Sequence, residues 1–246
     1  MPPILLIHGL IGSLSAPAIL RAFGEAEVLA PDLLGYGTAH AAAPVDWTLA
    51  DQADHLAGWL DRAGIAEPVH LVGHSVGGAV AVLFARRYPG RTASLTSVEG
   101  NFTLGDAFWS QQIARQPLAE VGATLAGFRA DVTGWLAGAG VEPTPATLEI
   151  ATDWLARQPA ATLRNQAQAV VAATGQPEYL ADVRHLLDSG LRLNLIAGER
   201  SRAEWHVPNW VMAAAARDCD LPGCGHLLML EDPNGFADAV LAGLSD

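Results

Sequence analysis

The sequence contains no lysine: all 14 of its Lys+Arg positions are arginine. That absence excludes Schiff-base catalysis, a pyridoxal-phosphate anchor and the lysine of a phosphate-gripping P-loop. Cations are scarce altogether, 14 against 26 Asp+Glu, giving a formal net charge of -12 and a pI near 4.9. Nucleic acids and anionic membrane surfaces are held by clustered cations, so neither is expected as a partner. The two cysteines, Cys219 and Cys224, are too few for a framework of bridges and fit a reducing, cytoplasmic setting. No apolar stretch approaches the roughly 20 residues that span a bilayer. The opening Met-Pro-Pro-Ile-Leu-Leu-Ile-His lacks the cationic head and small-residue cleavage site of a secretory leader.

Half of the 246 residues are hydrophobic, enough for a substantial core. The length suits one domain of the larger α/β type, which commonly runs to about 200–250 residues. Short apolar runs at 3–8 and 27–31 read as buried parallel strands, 69–73, 93–98 and 191–197 as further strands, and 218–221 as a last short one. Helical spacing occupies 13–23, 46–63, 76–88, 208–217 and 233–244, with Ser13 or Ser15 as the first N-cap. Alternation of this kind predicts a mostly parallel sheet with helices on both faces. Between 100 and 190 the rhythm breaks into helical patterns alone, at 106–115, 119–137, 145–157, 160–173 and 178–187. That insertion is expected to form a helical cap over a core built from 1–99 and 191–246.

The sharpest motif is Gly73-His74-Ser75-Val76-Gly77, with Gly78 following. It is G-x-S-x-G between a strand and a helix, the setting of a nucleophile elbow, where a tight turn lifts the serine hydroxyl clear of the sheet. A serine hydroxyl is a weak nucleophile near neutral pH and needs a base. Of eight histidines, His226 stands after the last strand, in Pro222-Gly223-Cys224-Gly225-His226, and Glu231-Asp232-Pro233 trails it. Cys219, Cys224 and His226 do not make up the four ligands of a zinc site.

With these residues the sequence resembles the α/β-hydrolase superfamily, in which a Gly-His near the C-terminus supplies the base of a catalytic triad. The resemblance implies an α/β-hydrolase fold and a triad of Ser75, His226 and an acid. His8-Gly9-Leu10-Ile11-Gly12 resembles the family's H-G-x-x-G oxyanion loop. By the family's geometry the oxyanion donors would be the amides of Leu10 and Val76, with His8 structural. The usual acid follows the strand after the cap, where this chain reads Ala197-Gly198-Glu199-Arg200-Ser201, with serine in the expected Asp position. Two candidates remain: Glu99, closing the strand after the nucleophile as in some relatives, is favoured, and Glu199 is the rival. Most relatives also begin with two antiparallel strands before the H-G strand, so a sheet of about six strands, shortened at one edge, is expected.

Serine in place of an Asp nucleophile disfavours dehalogenase and epoxide hydrolase reactions, and no G-x-G-x-x-G fingerprint or other cofactor signal follows the first strand. Acyl transfer to water remains. The expectation is a serine esterase, or a lactonase, acting on an apolar small molecule without cofactor or metal. Alternatives on the same triad are C–C bond hydrolysis, thioester cleavage and cofactor-free peroxidation. A non-catalytic ligand-binding protein on the same fold is a further reading. Among the aromatic residues of the insertion, Phe102 and Trp109 are the expected substrate contacts, being nearest Glu99 in sequence.

Overall fold

Apolar side chains on every successive residue suit a strand covered on both faces. In the computed structural model, which describes residues 1–42, 44 and 46–244, Ile4–Ile7 forms such a strand (β1) with all four side chains fully buried. Their alternation divides the core: Leu5 and Ile7 enter one apolar cluster, Ile4 and Leu6 the other, across the sheet.

The chain continues through α1 (Pro17–Ala22), β2 (Val28–Leu29), α2 (Leu49–Arg62), β3 (Val69–His74), α3 (Val76–Arg87) and β4 (Thr92–Val98). Six helices follow: α4 (Phe108–Arg115), α5 (Leu118–Ala130), α6 (Val132–Gly138), α7 (Pro145–Ala156), α8 (Ala160–Thr174) and α9 (Pro177–Asp188). Then come β5 (Leu193–Gly198), α10 (Asn209–Ala214), β6 (Arg217–Leu221), α11 (Leu228–Glu231) and α12 (Pro233–Leu244). Ser245 and Asp246, the end of the expected core segment 191–246, lie outside the described residues.

Among the described residues six strands form one sheet in the order β2-β1-β3-β4-β5-β6, and every neighbouring pair is parallel. The chain leaves β1 toward one border and β3 toward the other. Such a reversal opens a crevice beyond the carboxyl ends of the strands. The registers Gly73 to Ser97 and Val98 to Ile196 bring those ends to one level. The borders differ from the middle: β2 has two residues, and β6 exposes Arg217, Asp218 and Asp220. No helix among the described residues is long and apolar enough to cross a membrane.

Two expected helices have other limits. The first begins at Pro17 rather than at Ser13 or Ser15, because proline's fixed φ suits a first helical turn and the two serine hydroxyls hydrogen-bond each other at 2.8 Å. The expected helix 119–137 is broken at Asp131, whose backbone leaves the helical region (φ −135°). Its carboxylate accepts from Gly134 N–H at 2.8 Å and caps α6. The helical segment is fastened to the sheet side through α8. Gln166 Oε1 accepts from Trp47 Nε1 and Gln52 Nε2, each at 2.8 Å, and Thr162 Oγ1 donates to Gly35 O at 2.9 Å.

Candidate active site

β3 ends at His74 and α3 begins at Val76, so Ser75 alone makes the turn. It does so at φ 53° and ψ −122°, a region that costs a non-glycine residue about 1–3 kcal/mol. Backbone hydrogen bonds hold it: Ser75 N–H donates to Val98 O at 3.0 Å, and Ser75 O accepts from Gly78 and Asn101 N–H at 2.9 and 3.2 Å. The flanking glycines are required by contact. A Cβ on Gly77 would stand 2.2 Å from Ile7 O, and one on Gly73 2.4 Å from Gly77 O. The motif spacing therefore records α3 pressed against β1 and β3.

Glu99 repeats this device one strand further on. Among the described residues it and Ser75 are the two non-glycine positions with positive φ, Glu99 at 43°. Its buried carboxylate is fully engaged. Oε2 accepts from His226 Nδ1 at 2.6 Å, and Oε1 accepts from Gly198 N–H at 2.7 Å and Ser201 Oγ at 2.5 Å. Burial alone would raise its pKa, but the hydrogen bond and charge of His226, with the Ser201 and Gly198 donors, hold it below the ordinary carboxylate value. With Nδ1 so bound, Nε2 of His226 is free to take a proton from a hydroxyl.

Glu199 does not meet His226. Its Oε2 accepts from Gly223 N–H at 2.7 Å, bracing the turn that leads into the His226 loop. His74 was given no role by the sequence, yet its Nε2 lies 2.9 Å from His226 O and its ring centroid 4.7 Å from that of His226. Burial, then the neighbouring His226 charge, push its pKa down to about 3, so it stays neutral and donates to that carbonyl. The available signal was its place directly before Ser75.

The loop after β1 is rigidly backed. His8 Nε2 accepts from Leu33 N–H at 3.1 Å, which leaves its Nδ1 proton for Gly9 O at 2.9 Å. Burial lowers its pKa, in keeping with a neutral structural ring. Tyr36 donates its hydroxyl to Leu10 O at 2.9 Å, fixing that peptide from behind. Val76 heads α3, so its N–H belongs to the first turn, where no preceding carbonyl is available.

Ser75, Glu99, His226 and Leu10 line one cavity of about 510 Å³. Among the described residues no hydrogen bond joins the Ser75 hydroxyl to His226; such contacts often tighten only in the reacting complex. Trp109 lines the cavity, together with Phe108, Phe128, Trp135 and Trp205. Phe102, expected beside it, does not. It is 1% exposed and packs into the apolar core with Val82, Leu95 and Val183, its ring centroid 6.0 Å from that of Trp205.

A family model described as alpha/beta hydrolase fold matches residues 2–178. Lipase 1 of Psychrobacter immobilis is 35% identical over 124 residues, covering 50% of this chain and 37% of that one. Lipase 3 of a Moraxella strain gives the same identity and coverage, so the match spans little more than a third of these curated relatives. Among solved structures, a hydrolase from Pseudomonas aeruginosa superposes with a TM-score of 0.75 at 24% identity, over 100% of this chain and 90% of that one. A thermophilic esterase from Thermogutta terrifontis gives 0.73 at 22% identity, over 98% and 89%. At such identities the superpositions speak for the fold alone.

Proposed function

The chain belongs to the alpha/beta hydrolase fold family, and from that premise we propose that it is a serine hydrolase of carboxylic esters, lactones included, acting through an acyl-enzyme. The observation that carries this reading is the carboxylate–imidazole pair of Glu99 and His226 at 2.6 Å in one cavity with Ser75.

In this reading His226 Nε2 takes the Ser75 proton as Oγ attacks the carbonyl carbon, and Glu99 steadies the imidazolium that forms. The carbonyl oxygen gains negative charge and is held by the Leu10 and Val76 amides, an interaction worth about 2.7–4 kcal/mol per donor. His226 returns the proton to the leaving alcohol, then repeats the cycle with water to release the acid. Segment 100–190 serves as a cap over the core 1–99 and 191–246, and its rings with Trp205 supply an apolar seat for the substrate. A cavity of about 510 Å³ suits a small molecule, since such sites run to about 300–1,000 Å³.

The test is a p-nitrophenyl ester together with a serine-directed phosphonate. The expected outcome is a burst of nitrophenol and a single adduct on Ser75. The absence of both burst and adduct would sink the reading. A lactone panel followed by acid release separates lactonase from simple esterase activity.

A further inference from the structure

Among the described residues, the carboxylates lining the cavity are Glu99, Asp106 and Glu204, and no arginine lines it. Two of these carboxylates are saturated. Glu99 is bound as described, and Asp106 accepts from Phe102 N–H, Thr103 N–H, the Thr103 hydroxyl and His206 N–H at 2.6–3.2 Å. Glu204 is exposed and, among the described residues, its carboxylate has no hydrogen-bond or ion-pair partner. The nearby arginines are committed elsewhere. Arg202 grips Asp218 at 2.6 and 2.8 Å, Arg200 binds Gly140 O and Glu231, and Arg129 binds Leu155 O and Gln158 O.

The apolar wall adds an independent term of the same sign. Trp109, Phe128 and Trp135 form a continuous row along the cavity, with centroids 6.4 and 6.3 Å apart, whereas Trp205, which also lines it, already carries the Arg202 guanidinium 5.4 Å from its ring centroid. Ring faces are negative, so a cation within about 6 Å of a centroid is attracted, most strongly where water is excluded. An anion against the Trp109–Phe128–Trp135 row meets ring faces and carboxylates, and among the described residues no arginine lines the cavity to offset them.

We propose that this cavity selects its substrate by charge: it takes esters bearing a quaternary or protonated amine, and turns away anionic esters of the same size. The ammonium rests against the Trp109–Phe128–Trp135 row with Glu204 at the mouth, while the ester carbonyl reaches Ser75. The inference rests on the ester-hydrolase reading and adds the chemical class of its substrate.

Three butyrate esters of nearly equal shape test it: choline butyrate, its uncharged isostere 3,3-dimethylbutyl butyrate, and 2-sulfoethyl butyrate. The expected order of kcat/KM is cationic, neutral, anionic, with about tenfold between the extremes and a smaller span at about 1 M salt, where charges are screened. Glu204→Gln is expected to narrow the cationic-to-anionic ratio, and Glu204→Arg to narrow it further. Equal rates, or preference for the sulfonate, overturn charge selection even while turnover of the neutral ester upholds the hydrolase reading. If none of the three turns over, binding of choline, 3,3-dimethylbutanol and 2-hydroxyethanesulfonate, read by quenching of the cavity tryptophans, decides the matter without catalysis. Choline binding tightest supports the proposal; equal or reversed affinities overturn it.

Discussion

Ser201 donates its hydroxyl to Glu99 Oε1 at 2.5 Å, while the other oxygen of the same carboxylate holds His226 Nδ1 at 2.6 Å. The serine stands where the commoner arrangement of the family has its acid. The position still serves the histidine, through a carboxylate delivered from the neighbouring strand.

Ser201→Ala leaves Gly198 N–H alone on Oε1. A hydrogen bond to a charged group contributes about 1.5–3 kcal/mol, so turnover is expected to fall about tenfold. A pH signature should accompany it. The Glu99 pKa is lowered on folding, so its contribution to stability is fully present above the ordinary value of about 4.3 and is lost as pH falls through the depressed folded value. Removing a donor that depresses it shrinks the shift. Denaturation midpoints at about pH 7 and about pH 3 should therefore differ less in the variant than in the parent. An unchanged difference would contradict this account.

Glu99→Gln replaces an acceptor that fixes the histidine tautomer with an amide, and kcat should drop by on the order of 10⁴. Glu199→Gln keeps an oxygen for Gly223 N–H and should leave kcat within a few-fold. Single-turnover kinetics on both variants check this; collapse of only the second would transfer the acid role to Glu199.

Tyr36→Phe removes the donor behind Leu10 O. The buried carbonyl left without it costs about 1–3 kcal/mol of stability, and the amide on the loop's other side loses its fixed aim. The expected kinetic result is a lower kcat at nearly constant KM, short of the 10²–10³ that follows loss of a whole oxyanion donor.

Gly77→Ala forces a methyl to within 2.2 Å of Ile7 O. α3 must move off β1, at an overpacking cost of about 1–3 kcal/mol, and the turn at Ser75 moves with it. Thermal unfolding should shift down and phosphonate labelling should slow. Gly90→Ala, with nothing within 4 Å of its added Cβ, is the control expected to leave both unchanged.

What the sequence revealed follows from where it is constrained. β1 was legible because a strand buried on both faces suits an unbroken apolar run, and Ser75 because steric contact places glycine at set offsets around it. The choice between Glu99 and Glu199 was not open to composition or spacing: both follow strands at the same sheet edge. Their carboxylates part company in space: Glu99, at φ 43°, meets His226 Nδ1, and Glu199 meets Gly223 N–H. Phe102 and Trp109 are equally aromatic, and nothing in their spacing tells that one joins the core cluster while the other lines the cavity. The break at Asp131 was hidden because a capping carboxylate looks like any polar residue on a helix surface.

The two borders of the sheet bear on how this protein behaves when crowded. An open parallel sheet with long neutral edges invites another chain to add a strand, the first step toward aggregation. Here one border is two residues long and the other carries Arg217, Asp218 and Asp220 outward. Neither gives an incoming strand a long neutral length to pair with, since β2 is short and β6 carries charge. A chain half of whose residues are hydrophobic thus offers little neutral, unpaired strand at the two borders of its sheet.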